Sequence, residues 1–288
     1  MRVALNQHSF RGWSLAYRRL QNPDGAGRLM LLHGAGVAGD LTWTPMIGAL
    51  ASCADLLIPD LYGAGDTMHE QGERAFKIAE QLEHLSALLE QLDWDDFDVV
   101  GYSFGGLCAM ELARALPTRI KNVVLIEPGL MERADWQETL QRRRLYTRAT
   151  EPLKTTGDPR AGVTAFLDLV SPRRSRHPRV ESRVISRLAH RPLGLAHALE
   201  AIAHYAETLD RPELIRSLPR TLSLVGSKTP EPAHELHQYL ASQNAQWHYA
   251  VIEGCDHALP YQKPDAVGRA ITRFLGVAPL ESSHGQHL

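Results

Sequence analysis

The segment of this sequence best suited to covalent chemistry is Gly101-Tyr102-Ser103-Phe104-Gly105-Gly106. It follows Asp98-Val99-Val100 directly and opens into a helix-like stretch. A serine at such a strand-to-helix turn adopts strained backbone angles, and flanking glycines let neighbouring backbone pass close by. The turn lifts a hydroxyl above the C-terminal edge of a sheet, and the helix N-terminus favours negative charge nearby. Serine is a weak nucleophile without a base. The expected base is His257, in Glu253-Gly254-Cys255-Asp256-His257-Ala258-Leu259-Pro260, a loop just past the last strand-like run. A plain Gly-rich turn and an ordinary loop histidine are the bland alternatives. The setting of the serine, and the order of serine then late histidine, weigh against them.

Two further turns follow short apolar runs. Leu31-Leu32-His33-Gly34-Ala35-Gly36 closes an early one, and its glycines allow backbone N–H groups to face a developing oxyanion. The Ala35 and Phe104 N–H groups are the expected pair, and losing one such donor costs about 3 kcal/mol of transition-state stabilisation. His33 reads as a residue that holds this loop by hydrogen bonds. Asp60-Leu61-Tyr62-Gly63-Ala64-Gly65-Asp66-Thr67 reads as structural.

These groups must be carried to one place by the rest of the chain. Trp13–Arg19, a turn at Asn22-Pro23-Asp24-Gly25 and the apolar run Leu29–Leu32 read as hairpin-like. Short apolar runs then alternate with helix-period segments. Leu56–Ile58, Val99–Val100, Val123–Ile126, Leu222–Val225 and His248–Ile252 are strand-like. Arg74–Leu92, Leu107–Leu116 and Ala266–Leu275 are helix-like. This alternation predicts an α/β class with a mostly parallel central sheet and helices on both faces. The stretch from Pro128 to about Arg211 breaks the rhythm. It has no strand run, only helix-like, Arg-rich pieces punctuated by Pro152, Pro159, Pro172, Pro178 and Pro192, and reads as a helical insertion.

Composition bounds the rest. The 288 residues suffice for a large buried core, which excludes a small metal- or disulfide-stapled fold. The formal charge of −2 argues against a nucleic-acid binder. It conceals a division: Pro128–Arg220 holds 17 Lys+Arg and 11 Asp+Glu, a local +6, which leaves −8 for the remainder. Cys53, Cys108 and Cys255 are scattered without C-x-x-C spacing and read as reduced thiols. With no signal-peptide core and no membrane-spanning run, the expected location is cytoplasmic. His190, His197 and His204 recur every seven residues, but Pro192 interrupts them and two turns (about 10 Å) is too wide for one metal, so no metal site is expected.

Taken in order, the H-G loop, the D-x-x-G-x-G turn, the G-x-S-x-G elbow and the late G-x-D-H resemble the α/β-hydrolase superfamily over Leu29–Ile126 and Thr221–Leu275. The resemblance implies a hydrolase core over 1–127 and 212–280 and a helical cap over 128–211, while the polar segment 281–288 reads as a flexible tail. It implies no cofactor. The expected partner is a small-molecule substrate, an anionic one among the options, with neither nucleic acid nor membrane; the oligomeric state is open. The superfamily most often places its catalytic acid about three residues after a glycine that follows the seventh strand. Here Val225-Gly226-Ser227-Lys228-Thr229-Pro230-Glu231 puts Thr229 there, which cannot carry the charge that stabilises an imidazolium. Glu127, at the end of the run Val123–Ile126, is the favoured replacement, with Glu231 the other option.

The function implied is a serine hydrolase of small carboxylic esters, thioesters or lactones, with Ser103, His257 and Glu127 as its catalytic residues and Ala35 and Phe104 as its oxyanion hole. The alternative is a cofactor-independent dioxygenase that opens a quinolone-type ring. Those enzymes are similar in placing the acid at the earlier strand end and in the run Thr229-Pro230-Glu231-Pro232, and there His257 would act as base. The seven arginines of Ser171–Arg191, with one acid among them, read either as a solvated helix face or as an entrance that attracts an anion.

Overall fold

The computed structural model describes residues 4–155 and 158–277. The segment 281–288, expected as a flexible tail, and residues 278–280 lie outside them. In chain order the strands are β1 (Leu5–Phe10), β2 (Trp13–Gln21), β3 (Arg28–Leu32), β4 (Asp55–Pro59), β5 (Met68–His69), β6 (Phe97–Tyr102), β7 (Ile120–Ile126), β8 (Arg220–Gly226) and β9 (Trp247–Ile252). They form one sheet in the order β1-β2-β4-β3-β6-β7-β8-β9, with β5 against the start of β2. From β4 to β9 all neighbours are parallel, while β1, β2 and β5 are antiparallel additions at one edge.

The central strands are apolar on both sides because both of their faces are covered. Leu29 and Leu31 of β3 enter one hydrophobic cluster and Met30 and Leu32 the other; Val124 and Val123 of β7 divide in the same way. Helices α1 (Gly39–Trp43), α10 (Leu259–Gln262) and α11 (Pro264–Leu275) cover one face. Helices α2 (Ile78–Gln91) and α3 (Phe104–Ala115) cover the other, with α9 (Glu231–Gln243) beside β8 and β9.

The hairpin expected across Asn22–Gly25 is not formed. β2 pairs instead with β1 through the two-residue turn Arg11-Gly12, both at positive φ (49° and 79°), and β4 lies between β2 and β3. The buried β3 takes parallel partners on both edges, which a β2–β3 hairpin would deny it.

Between β7 and β8 every regular element described is a helix: α4 (Trp136–Thr150), a 3₁₀ turn (Glu151–Lys154), α5 (Pro159–Val170), α6 (Pro178–Leu188), α7 (Pro192–Ala206) and α8 (Arg211–Arg216). Pro159, Pro178 and Pro192 each begin a helix, where the missing N–H costs nothing and the fixed φ suits the first turn. Asp135, Asp158 and Asp210 cap α4, α5 and α8 by accepting from backbone N–H groups at 2.8–2.9 Å. The insertion is tied down by charge and close packing. Arg191 pairs with Glu73 at 2.6 Å and donates to the Ala64, Gly65 and Thr67 carbonyls at 2.8, 2.9 and 2.6 Å. Gly63 and Gly194 meet backbone to backbone: a Cβ on Gly194 would lie 2.3 Å from the Gly63 carbonyl oxygen.

One buried histidine sets an acid limit on the fold. His84 of α2 donates from Nε2 to the His8 carbonyl (3.0 Å) and accepts at Nδ1 from the Tyr62 hydroxyl (2.7 Å), a neutral tautomer fixed by its partners. Burial pushes its pKa down to about 4. The unfolded chain therefore binds the extra proton first, and stability falls as the pH drops from about 6.5 to about 4, by up to roughly 3 kcal/mol for this group. In urea unfolding at pH 7 and pH 4.5, His84→Gln is expected to be less stable than wild type at pH 7 but to lose less on acidification. An unchanged pH slope would remove His84 from this role.

Candidate active site

β6 ends at Tyr102 and α3 begins at Phe104, so Ser103 alone makes the turn, at φ 51° and ψ −112°. Its backbone is pinned: the N–H donates to the Ile126 carbonyl (3.0 Å), and its carbonyl accepts from Gly106 N–H (2.9 Å) and Gly129 N–H (2.8 Å). The strained angle falls on the serine itself; the glycines supply room. A Cβ on Gly101 would lie 2.3 Å from the Gly105 carbonyl oxygen, and one on Gly105 would lie 2.2 Å from that of Leu32. The spacing G-x-S-x-G is thus a statement about backbone passing backbone.

The H-G loop lies against this turn, since a Cβ on Gly34 would come within 2.9 Å of the Tyr102 ring and 3.4 Å of Ser103 Cβ. His33 is fully buried and holds the loop. Its Nε2 accepts from Leu61 N–H (2.7 Å), its Nδ1 lies 2.7 Å from the Gly34 carbonyl, and burial pushes its pKa down. Asp60 is structural as well: Oδ1 accepts from Gly39 N–H at 2.7 Å and Oδ2 from Asp66 N–H at 3.0 Å. Among the described residues, neither the Ala35 nor the Phe104 N–H has a protein acceptor.

His257 follows β9, and its Nδ1 lies 2.8 Å from Glu127 Oε2. Glu127 sits directly after β7 at φ 42°, a left-handed conformation, with its own N–H bonded to the Leu224 carbonyl of β8 (3.0 Å). Its other oxygen, Oε1, accepts from Gly226 N–H (2.9 Å) and from the Thr229 hydroxyl. Burial opposes ionisation of this carboxyl, yet the bonds from His257, Thr229 and Gly226 outweigh it and hold its pKa below the usual range. Thr229, at the position where the family most often has an acid, is thus a hydrogen-bond donor to the Glu127 carboxylate. Glu231 is exposed at the start of α9 and, among the described residues, makes no hydrogen bond or ion pair with His257; Asp256 accepts from Ala258 N–H and Gln262 Nε2.

Ser103, Glu127 and His257 line one cavity of about 420 Å³, roofed by α4, α5, α6 and α7. Residues 27–264 match the family model of the alpha/beta hydrolase fold. The chain belongs to that family. It is a hydrolase-fold enzyme with a mixed sheet and, between β7 and β8, an insertion whose described regular elements are all helices.

Among its relatives, the pimeloyl-[acyl-carrier protein] methyl ester esterase of Aeromonas salmonicida is 29% identical over 89% of this chain and 96% of its own length. Lipase LipV of Mycobacterium tuberculosis is 24% identical over 88% and 95%. The solved enol-lactonase of Burkholderia xenovorans superposes with a TM-score of 0.73 at 22% identity, covering 94% of this chain and all of that one, a likeness of fold.

Residues that the sequence did not single out also line this cavity. Tyr102 and Tyr261 flank it, with the Tyr102 ring centroid 5.3 Å from that of His257. His237 of α9 also lines the cavity. It is 1% exposed, stacks near-parallel on Tyr249 and leaves Nδ1 without a partner among the described residues. Burial pushes its pKa down to about 4, so it is neutral at pH 7. Nothing in the spacing of His234, Leu236 and His237 distinguishes it from a helix core residue.

Proposed function

We propose that this protein hydrolyses small carboxylic esters, thioesters or lactones through an acyl-enzyme on Ser103. The observation that carries the reading is the 2.8 Å contact from His257 Nδ1 to a buried, ionised Glu127 within the cavity that also holds Ser103. With Nδ1–H donated to Glu127, His257 presents a bare Nε2 as base. His257 takes the Ser103 proton as Oγ attacks the carbonyl carbon. The negative charge that forms on the carbonyl oxygen is taken by the Ala35 and Phe104 N–H groups, which have no other acceptor among the described residues. The protonated imidazole then delivers its proton to the leaving alcohol, thiol or lactone oxygen. Water activated by the same ring releases the acid and frees Ser103.

In this reading residues 1–127 and 212–280 form the catalytic core and 128–211 the cap, whose helices set the substrate. The three cysteines are free and buried, and no helix among the described residues is long and apolar enough to cross a membrane. The free, buried thiols favour a reducing, cytoplasmic setting.

A fluorophosphonate probe is expected to label Ser103, located by peptide mass spectrometry, and p-nitrophenyl esters, acyl thioesters or lactones to be turned over. An unlabelled Ser103 with no hydrolysis across that panel would overturn the reading. The dioxygenase alternative uses the same Glu127–His257 contact without a covalent serine intermediate. Oxygen uptake with carbon monoxide release from a 3-hydroxy-4-quinolone would establish it in place of hydrolysis.

A further inference from the structure

The cavity is mostly apolar, yet six arginines line it against two carboxylates, and both carboxylates are engaged: Glu127 by His257, Glu132 by Arg143. The remaining cations are concentrated on α6. Arg179, Val180, Arg183, Val184, Arg187 and Leu188 recur at i, i+1, i+4, i+5, i+8 and i+9, so one face of that helix forms a wall in which arginines alternate with aliphatic side chains. The arginine row extends about 12 Å along the helix.

The sequence left two readings of this Arg-rich stretch, and the ion pairs separate its members. Arg174 and Arg176 are neutralised together by Asp168 and Glu181, at 2.7–3.1 Å, and Arg191 by Glu73. Arg179, Arg183 and Arg187 have no carboxylate within ion-pair distance among the described residues. Arg187 lies with its guanidinium 5.8 Å from the Tyr261 ring centroid, beside the catalytic loop. Arg142, across the cavity on α4, spends its donors on the Tyr146 hydroxyl (2.9 Å) and the Leu169 carbonyl, both uncharged. Asp168 and Glu181 are thus taken by arginines outside the cavity; of those inside it, Arg143 and Arg133 pair with Glu132 and Glu138, while Arg142, Arg179, Arg183 and Arg187 have no carboxylate partner among the described residues. Cations grouped at the mouth of a low-dielectric cleft focus a field that draws in anions, and guanidinium forks match carboxylate or phosphate oxygens.

We propose that the substrate is an ester with an apolar body and an anionic group, carboxylate or phosphate, at the end of one arm, read by Arg179, Arg183 and Arg187. The chemistry rests on the hydrolase reading above; the anion recognition does not.

The test compares matched pairs. On the acyl side, the mono-p-nitrophenyl ester of octanedioic acid is set against p-nitrophenyl octanoate. On the alcohol side, 4-(octanoyloxy)benzoate is set against its methyl ester. The readout is the charged-to-neutral ratio of kcat/KM in wild type relative to Arg179→Gln/Arg183→Gln/Arg187→Gln, which cancels intrinsic reactivity. In at least one pair this relative ratio is expected to be about tenfold, to shrink as ionic strength rises, and to invert in Arg183→Glu. Equilibrium binding of the amide analogues of the four esters is measured in parallel, so that a protein that hydrolyses none of them is still assayed. Charge-dependent binding that the glutamine variant loses, without any hydrolysis, would sustain the anion site and refute the hydrolase reading. Hydrolysis with the same ratio in wild type and variant, in both pairs, would overturn the anion site and leave the hydrolase reading standing; binding with the same ratio and no hydrolysis would overturn both.

Discussion

Replacing Ser103 by alanine is expected to lower kcat/KM for a p-nitrophenyl ester by roughly 10⁴- to 10⁶-fold without loss of the fold. The expectation of an intact fold comes from the backbone. The turn at φ 51° is fixed by the Ser103 N–H and carbonyl bonds to Ile126, Gly106 and Gly129, none of which uses the hydroxyl. Alanine meets the same left-handed strain as serine, so the change removes a nucleophile and little else. What survives should be the contribution of oxyanion donors and binding alone. Steady-state kinetics with thermal unfolding of the same preparation checks both halves. Retention of more than about a hundredth of wild-type kcat/KM would mean that another group carries the attack. If a hydroxyquinolone were instead consumed, with oxygen uptake undiminished in this variant, His257 would be acting as base without the serine.

The strand-to-helix turn at Ser103 was legible because its requirement is local: five residues must let two backbone segments pass within contact distance, and only glycine at 101 and 105 permits it. Glu127 was legible as a carboxylate ending a strand run. Its supports were not, because Gly226 and Thr229 are 99 and 102 residues away and reach it only through the β7–β8 pairing. Thr229 read as a missing acid because a sequence shows a residue type without its partner. The edge hairpin was misplaced for a related reason. Arg11-Gly12 carries a weak turn signal beside Asn22-Pro23-Asp24-Gly25, and the insertion of β4 between β2 and β3 is a long-range event. The arginines of α6 were visible as a count, whereas the ion pairs that neutralise some and spare others depend on Asp168 and Glu181.

Glu127→Gln is the sharper probe of the base, and a drop in kcat of about 10³- to 10⁴-fold is expected. The surroundings decide which way the amide points. Oε1 of the wild-type carboxylate accepts from Gly226 N–H, a fixed donor, and from the Thr229 hydroxyl, so the glutamine carbonyl must occupy that side. Its NH₂ is then turned toward His257, and Nδ1 is forced to accept rather than donate. The ring proton moves to Nε2, the atom that has to receive the Ser103 proton, and the charge that would stabilise an imidazolium is lost as well. Gly226 N–H stays paired and no charge is left buried alone, so thermal stability should change far less than activity. Fluorophosphonate labelling of Ser103 should slow in parallel with kcat, because both depend on removal of the same proton. Near-normal turnover in Glu127→Gln would detach the acid role from Glu127 and pass it to Glu231, which would then have to leave the first turn of α9 to reach His257.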